Sequence, residues 1–100
     1  MIRHIVMWKL KDHAEGFDRA ANALEMKRRL DACARLVPGI LAFDVHVAQP
    51  GLEATCDVIL VSAFEDRAAL AAYGAHPDHQ ALVPFFKAVR VGRECMDFET

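Results

Sequence analysis

The alternation of apolar and polar residues predicts three strands and one helix in the first two thirds of the chain. Residues 2–10 alternate with a period of two, which predicts a first strand. From Phe17 to about Val37 apolar residues recur every three or four positions, which predicts a helix that ends before Pro38-Gly39. Two more strands are predicted at residues 40–48 and from residue 54 or 55 to 64, joined by the turn at residues 49–53.

The last third of the chain predicts a divided helical region and a final strand. Asp66 is suited to cap a helix that runs through Tyr73, and Pro77 is suited to begin a new helical turn. Pro84 should kink or divide the helix that follows. A fourth strand is predicted at about Val91–Glu99. The resulting order, β-α-β-β-α-β, predicts a single α+β domain over residues 1–100, with the antiparallel sheet of a ferredoxin-like fold.

The two faces of this predicted sheet present a problem, because the helices of such a topology cover only one of them. Strands one and three are apolar on both sides, so four apolar residues are left facing water: Ile5, Met7, Ile59 and Val61. Antiparallel sheets normally keep a solvent-exposed face polar. We therefore expect the open face to be covered by the same face of a second copy, in a two-fold homodimer.

Composition and charge narrow the class of protein. The chain is 54% hydrophobic, and its net charge of −2 comes from interspersed signs, which gives no support to nucleic-acid binding. Its three cysteines form no CxxC pair and are typical of reduced thiols. No signal-peptide pattern and no apolar stretch of about 18 residues is found. We expect a cytoplasmic protein that does not associate with membranes.

Residues 73–79, YGAHPDH, concentrate a tyrosine and two histidines around a glycine and a proline. Imidazole titrates near neutrality, so His79 is suited to accept and return a proton. Tyr73 can donate a hydrogen bond to that imidazole or to a substrate oxygen. His4 lies on the helix-facing side of strand one, either as a hydrogen-bonded core residue or as the floor of a pocket. For His79 and Tyr73 the alternative is a structural role, in which His79 caps the start of a helix and Tyr73 only packs in the core.

Metal and cofactor signals are weak. His76 and His79 form an HxxH pair, but metal sites usually need three or four ligands and His76 precedes the helix, so we expect no metal. The chain has no glycine-rich phosphate loop, no GxSxG motif and no paired cysteines, so we expect no cofactor. The expected site is a small apolar pocket for acid–base chemistry, with substrate contacts from Trp8, Leu30, His76 and Phe85.

Several motifs in sequence order resemble the stress-responsive A/B barrel domain family (Dabb). They are the opening IRHIVMWKLKD, the Pro-Gly break, the tyrosine followed by HPDH, and the ending MDFE. The resemblance covers essentially the whole chain and implies ferredoxin-like subunits that pair their sheets into a dimeric α/β barrel. The plant polyketide cyclases that look like this domain use a strand-one histidine, a tyrosine and the second histidine of HPxH for an aldol-type ring closure. The resemblance implies these catalytic roles for His4, Tyr73 and His79.

The first helix departs from the cyclase pattern, because the cyclases place an aromatic pocket residue where this chain has Ala23, Met26 and Leu30. A polyketide substrate is therefore not implied. Three functions stay open: a cyclase-, isomerase- or lyase-like enzyme acting on a carbonyl-rich or aromatic small molecule, a binder of small apolar ligands, and a stress-associated dimer for protein interaction. Related barrels of the antibiotic-biosynthesis monooxygenase type add an oxygenase variant to the first.

Overall fold

The computed structural model describes all 100 residues, which form a four-stranded antiparallel sheet with helices packed on one face. The elements in chain order are β1 (Ile2–Leu10), β2 (His13–Ala14), β3 (Phe17–Asp18), α1 (Arg19–Asp31), β4 (Ile40–Val47), β5 (Val58–Phe64), α2 (Arg67–Ala75), α3 (Pro77–Gln80), α4 (Val83–Val89) and β6 (Arg90–Glu99). The strand order in the sheet is β4-β5-β1-β6. The predicted ferredoxin-like α+β fold is confirmed.

The predicted start of the first helix is wrong because a small hairpin precedes it. Strands β2 and β3 pair across a turn in which Glu15 and Gly16 have positive φ angles of 52° and 83°. The helix then begins at Arg19, and the carboxylate of Asp18 caps it by accepting a hydrogen bond from the backbone N–H of Ala21 at 2.8 Å. The helix also ends earlier than predicted, at Asp31, where the last turn tightens.

Breaks in the second helical region follow the prediction. The carboxylate of Asp66 caps α2, and Pro77 is the first residue of α3. Pro84 lies in the first turn of α4, at the point where the predicted second helix is divided. These breaks turn the chain back across β1, so that α3 and α4 form one wall of the site described below.

The core lies between the sheet and the helices. Alternate residues of β1 point into it, and Val6, Trp8 and Leu10 are almost fully buried. The predicted stripe of α1 supplies Met26 and Leu30 to the same core. Strict alternation along residues 40–48 predicts Leu41 on the same face as Val45. This prediction is wrong: Val45 is buried but Leu41 is 56% exposed, because the pairing register with β5 shifts between residues 40 and 42.

The opposite face of the sheet has no helix over it. Met7 is 38% exposed there, and Ile5, Ile59 and Val61 are half-buried. The edge strand β6 extends this apolar surface with Met96 and Phe98, which pair in register with residues 5 and 3 of β1. We call these six residues the open face. No helix of the fold combines the length and apolar character needed to cross a membrane.

Candidate functional site

A cavity of about 240 Å³ lies between the helix-covered face of the sheet and the helices α3 and α4. Its walls are largely apolar and include Val6, Trp8, Leu30, Leu60, Leu82 and Phe86. Its polar groups are His4, Tyr73, His79, Lys87, Arg90 and Arg93. Strand β1 contributes one histidine, and the break between α2 and α3 brings the tyrosine and the other histidine against it.

Most of the residues that sequence reasoning selected line this cavity: His4, Tyr73, His79, Trp8 and Leu30. His76 lies outside it, and its Nδ1 accepts a hydrogen bond from the backbone N–H of Asp78 at 3.1 Å, so it caps α3. Phe85 also lies outside, beneath the guanidinium of Arg29 at 4.0 Å from the ring centre. The expectation that His76 and Phe85 contact a ligand in this cavity is therefore corrected.

The neighbouring Phe86 lines the cavity in place of Phe85. Its ring packs edge-on against the indole of Trp8, with 5.5 Å between the ring centres. Adjacent residues of a helix point about 100° apart, so only one of the two phenylalanines can face the sheet.

The imidazole of His79 is held by backbone rather than by a side chain. Its Nδ1 lies 3.1 Å from the carbonyl oxygen of Gly74. A carbonyl oxygen can only accept, so we assign the proton to Nδ1, which leaves the lone pair on Nε2. Burial lowers the pKa of His79, and the charges of His4 and Arg93 lower it further, against the opposing effect of the Gly74 bond. The lowered pKa favours the neutral imidazole of His79.

Tyr73 is the central aromatic residue of the site and is 1% exposed. Its ring contacts that of His79 at 4.5 Å between centres and that of Phe64 at 5.3 Å. The predicted hydrogen bond from Tyr73 to His79 is absent, because the buried tyrosine hydroxyl has no hydrogen-bond partner at all. Burial raises the pKa of Tyr73 well above its usual value, so the hydroxyl keeps its proton and remains a donor.

His4 has a partner that sequence reasoning missed. Its Nδ1 lies 2.5 Å from a carboxylate oxygen of Asp97, the residue directly opposite it on β6. The carboxylate accepts from Nδ1–H and thereby fixes the orientation of the ring, leaving Nε2 as the other polar atom of the ring. Asp97 belongs to the MDFE motif, but its role depends on the β1–β6 register, which the sequence does not specify.

The side chains that could hold a metal do not converge. No group of three or more His, Cys, Asp or Glu residues lies close enough together to bind one ion. In the predicted HxxH pair, Nδ1 of His76 caps α3 and Nδ1 of His79 is bonded to Gly74. The two histidines therefore serve different local structures.

Comparison with protein families gives one match. The family model of the stress-responsive A/B barrel domain (Dabb) matches residues 2–100. No curated protein matches the chain in sequence.

Several solved structures share the fold. A dimeric ferredoxin-like protein of unknown function from Bacteroides fragilis is 25% identical, with a TM-score of 0.81 over 99% of this chain and 95% of that one. A Dabb family protein with a ferredoxin-like fold from Mesorhizobium loti is 27% identical, with a TM-score of 0.66 and coverage of 99% and 95%. An antibiotic biosynthesis monooxygenase is 24% identical, with a TM-score of 0.75 and coverage of 100% and 98%, and this likeness concerns the fold alone.

Proposed function

Because the chain belongs to the stress-responsive A/B barrel domain family, we propose that it is a homodimer whose subunits each bind a small carbonyl-containing molecule in the cavity. We further propose that His79 catalyses proton transfer at the carbon next to that carbonyl. Such a step is shared by cyclases, isomerases and lyases, so the proposal names the elementary reaction and leaves the overall transformation open.

The unpartnered hydroxyl of Tyr73 is the observation that carries this proposal. A buried hydroxyl without a hydrogen bond costs about 1–3 kcal/mol, and native structures rarely retain such groups without a reason. This hydroxyl belongs to a residue that lines the same cavity as His4 and His79. The oxygen of a bound carbonyl compound would satisfy it.

His79 has the properties of a general base for this chemistry. Its neutral imidazole presents an unprotonated Nε2 while Nδ1 stays bonded to Gly74. Nε2 takes the proton of the carbon next to the carbonyl. The electron pair of that C–H bond forms a carbon–carbon double bond, and the π pair of the carbonyl moves onto its oxygen, which gives an enolate. The imidazolium then returns the proton to carbon or to an oxygen of the product.

Tyr73 and His4 serve the developing enolate oxygen. The phenol of Tyr73 donates a hydrogen bond without giving up its proton, because its pKa is raised by burial. When His4 is protonated, its Nε2–H is a second donor and the Asp97 carboxylate balances its charge. Fixed donors of this kind stabilise a negative charge most strongly where apolar walls exclude water.

The homodimer in this proposal is formed through the open face. Six apolar residues are exposed or half-buried there, and the similar ferredoxin-like protein from Bacteroides fragilis is dimeric. Two such faces packed together would bury this surface from both subunits.

Deuterium exchange on phenylacetone tests the proposed reaction, because this ketone has an apolar ring to match the apolar walls and loses its α-protons slowly in buffer. We expect the protein to accelerate exchange measured by NMR, and His79→Ala to reduce the enzymatic rate by about 10²–10⁴-fold. His13→Ala, at an exposed histidine of the hairpin, is the matched control and should retain the full rate.

Two outcomes would contradict the proposal. If His79→Ala exchanges phenylacetone as fast as the unaltered protein, His79 is not the base. If phenylacetone binds but its exchange does not exceed that in buffer, the cavity is a ligand-binding site without turnover.

A further inference from the structure

Three positive charges border the cavity within a short stretch of chain. Lys87 is in the last turn of α4, Arg90 is the first residue of β6, and Arg93 is opposite Trp8 on the same strand. All three line the cavity. Since α4 runs directly into β6 with no loop between them, the three side chains are held near one another by regular structure.

None of these three cations has a counterion. The ion pairs of the chain involve His4, Arg19, Lys27, Arg28, Arg29 and Arg67. Asp97, the carboxylate on the same strand, is already bonded to His4. Like charges held together without a counterion repel one another, so an anion bound among them would be favoured.

The polar groups of the cavity differ in their exposure to solvent. Lys87 and Arg93 are exposed and Arg90 is half-buried, so they form its rim, whereas Tyr73 is fully buried. Apolar residues such as Trp8 and Phe86 form the wall of the same cavity. A ligand that fits this arrangement has a charged end, an apolar body and an oxygen that can accept from the buried hydroxyl.

We propose that the cavity binds an anionic molecule, with a carboxylate or phosphate held at the rim by Lys87, Arg90 and Arg93 and an apolar body against Trp8 and Phe86. Guanidinium groups bind both oxyanions through paired hydrogen bonds, and a lysine adds a point charge. This inference deepens the proposed function, since it assigns the substrate class, and it rests on that function for the reaction at the buried end. The binding of inert ligands requires no turnover and is tested separately.

Matched inert ligands test the charge preference. 3-Phenylpropionate and 2-phenylethyl phosphate are anionic, and 3-phenylpropionamide is a neutral molecule of nearly the same shape. Trp8 is the only tryptophan and lines the cavity, so its fluorescence reports occupancy. We expect at least one anion to bind about tenfold or more tightly than the amide at low salt, and the preference to shrink as salt is added. The two anions together show which oxyanion the rim prefers.

Variants assign the preference to the rim. In the Arg90→Gln/Arg93→Gln double variant we expect the anions to bind no more tightly than the amide, while the amide's own affinity stays unchanged. Arg35→Gln is the matched control, because Arg35 is exposed, lies outside the cavity and forms no ion pair. Should loss of the half-buried Arg90 side chain prevent folding, Lys87→Gln/Arg93→Gln makes the same test with two exposed residues.

Failure of this inference is distinguishable from failure of the proposed function. Equal affinity for amide and anions, or an anion preference that survives in the double variants, overturns the anionic substrate and leaves the His79 chemistry standing. If the anions bind more tightly but His79→Ala does not change the exchange rate, the anionic ligand stands and the His79 chemistry is overturned. If none of the three ligands binds at millimolar concentration, both the anion site and the small-molecule cavity are wrong.

Discussion

Each face of the sheet has side chains of the kind normally found on the other: polar groups lie on the covered face, and apolar groups lie on the face without helices. The helix-covered face encloses histidines and a tyrosine where a core is usually apolar, and the buried Tyr73 hydroxyl has no partner. The open face presents Met7, Met96 and Phe98 where water would favour polar side chains. Under the proposed function, a small ligand would complete the first face, and the open face of a second copy would cover the second.

The energetic scale of the two faces differs as well. Satisfying one buried hydroxyl is worth about 1–3 kcal/mol. Burying one large apolar side chain is worth about 1.5–3 kcal/mol, and the open face has six apolar residues on each subunit. Changes on the open face should therefore affect the assembly of the protein strongly, whereas changes on the covered face should affect ligand chemistry and leave the assembly intact.

The largest effect is expected from Met7→Glu, which places a carboxylate within the proposed interface. Burying an unpaired charge is so unfavourable that the variant should become monomeric or aggregate. Light scattering during gel filtration at micromolar concentration measures this. Leu24→Glu, at a 60% exposed leucine of α1, is the matched control and should remain dimeric. Unaltered protein that elutes as an 11.1 kDa monomer would contradict the dimer.

A smaller effect is expected from pH, and it concerns only the covered face. Burial lowers the pKa of His79 below its ordinary value of 6.5, so the base form persists at pH 7 and phenylacetone exchange should be constant there. The rate should fall only below pH 6.5, by about tenfold per pH unit once the imidazole is protonated. The dimer of unaltered protein should persist over the same range if the two faces are independent.

The lowered pKa of His79 also determines how the free energy of unfolding changes with pH. The unfolded chain takes up the His79 proton at a higher pH than the folded chain does, so this residue's contribution to the free energy of unfolding is present above pH 6.5. It is lost as the pH falls through the lowered pKa of the folded state. An NMR titration of the imidazole with a midpoint above 6.5 would contradict both the rate and the stability expectations.

The fold was predictable because its signals are local. The period of two residues placed β1 at Ile2–Leu10, and the proline and capping residues placed the breaks around α3. The missed features depend on interactions that no local pattern encodes. The β2–β3 hairpin has only two residues in each strand, and Leu41 is exposed because the register shifts beside it.

The candidate site was predictable only in part, for a related reason. Helix breaks and strand alternation identified His4, Tyr73 and His79 as candidates. The pairing of Asp97 with His4 was missed, because it depends on the β1–β6 register. The choice between Phe85 and Phe86 depends on how α4 is rotated about its axis, which the local sequence pattern does not specify. The same rotation brings Lys87 to the cavity rim, and sequence reasoning gave no indication of this cation.

The central claim is that Tyr73 and His79 act together on a ligand, and a double-mutant cycle on phenylacetone exchange tests it most directly. Tyr73→Phe removes a hydroxyl without a partner, so its free energy of unfolding should stay equal or rise while its exchange rate falls. If both residues serve one transition state, the Tyr73→Phe/His79→Ala double variant should exchange phenylacetone at nearly the rate of His79→Ala alone. A double variant whose loss equals the product of the two single losses would show that the residues act independently and would contradict the account.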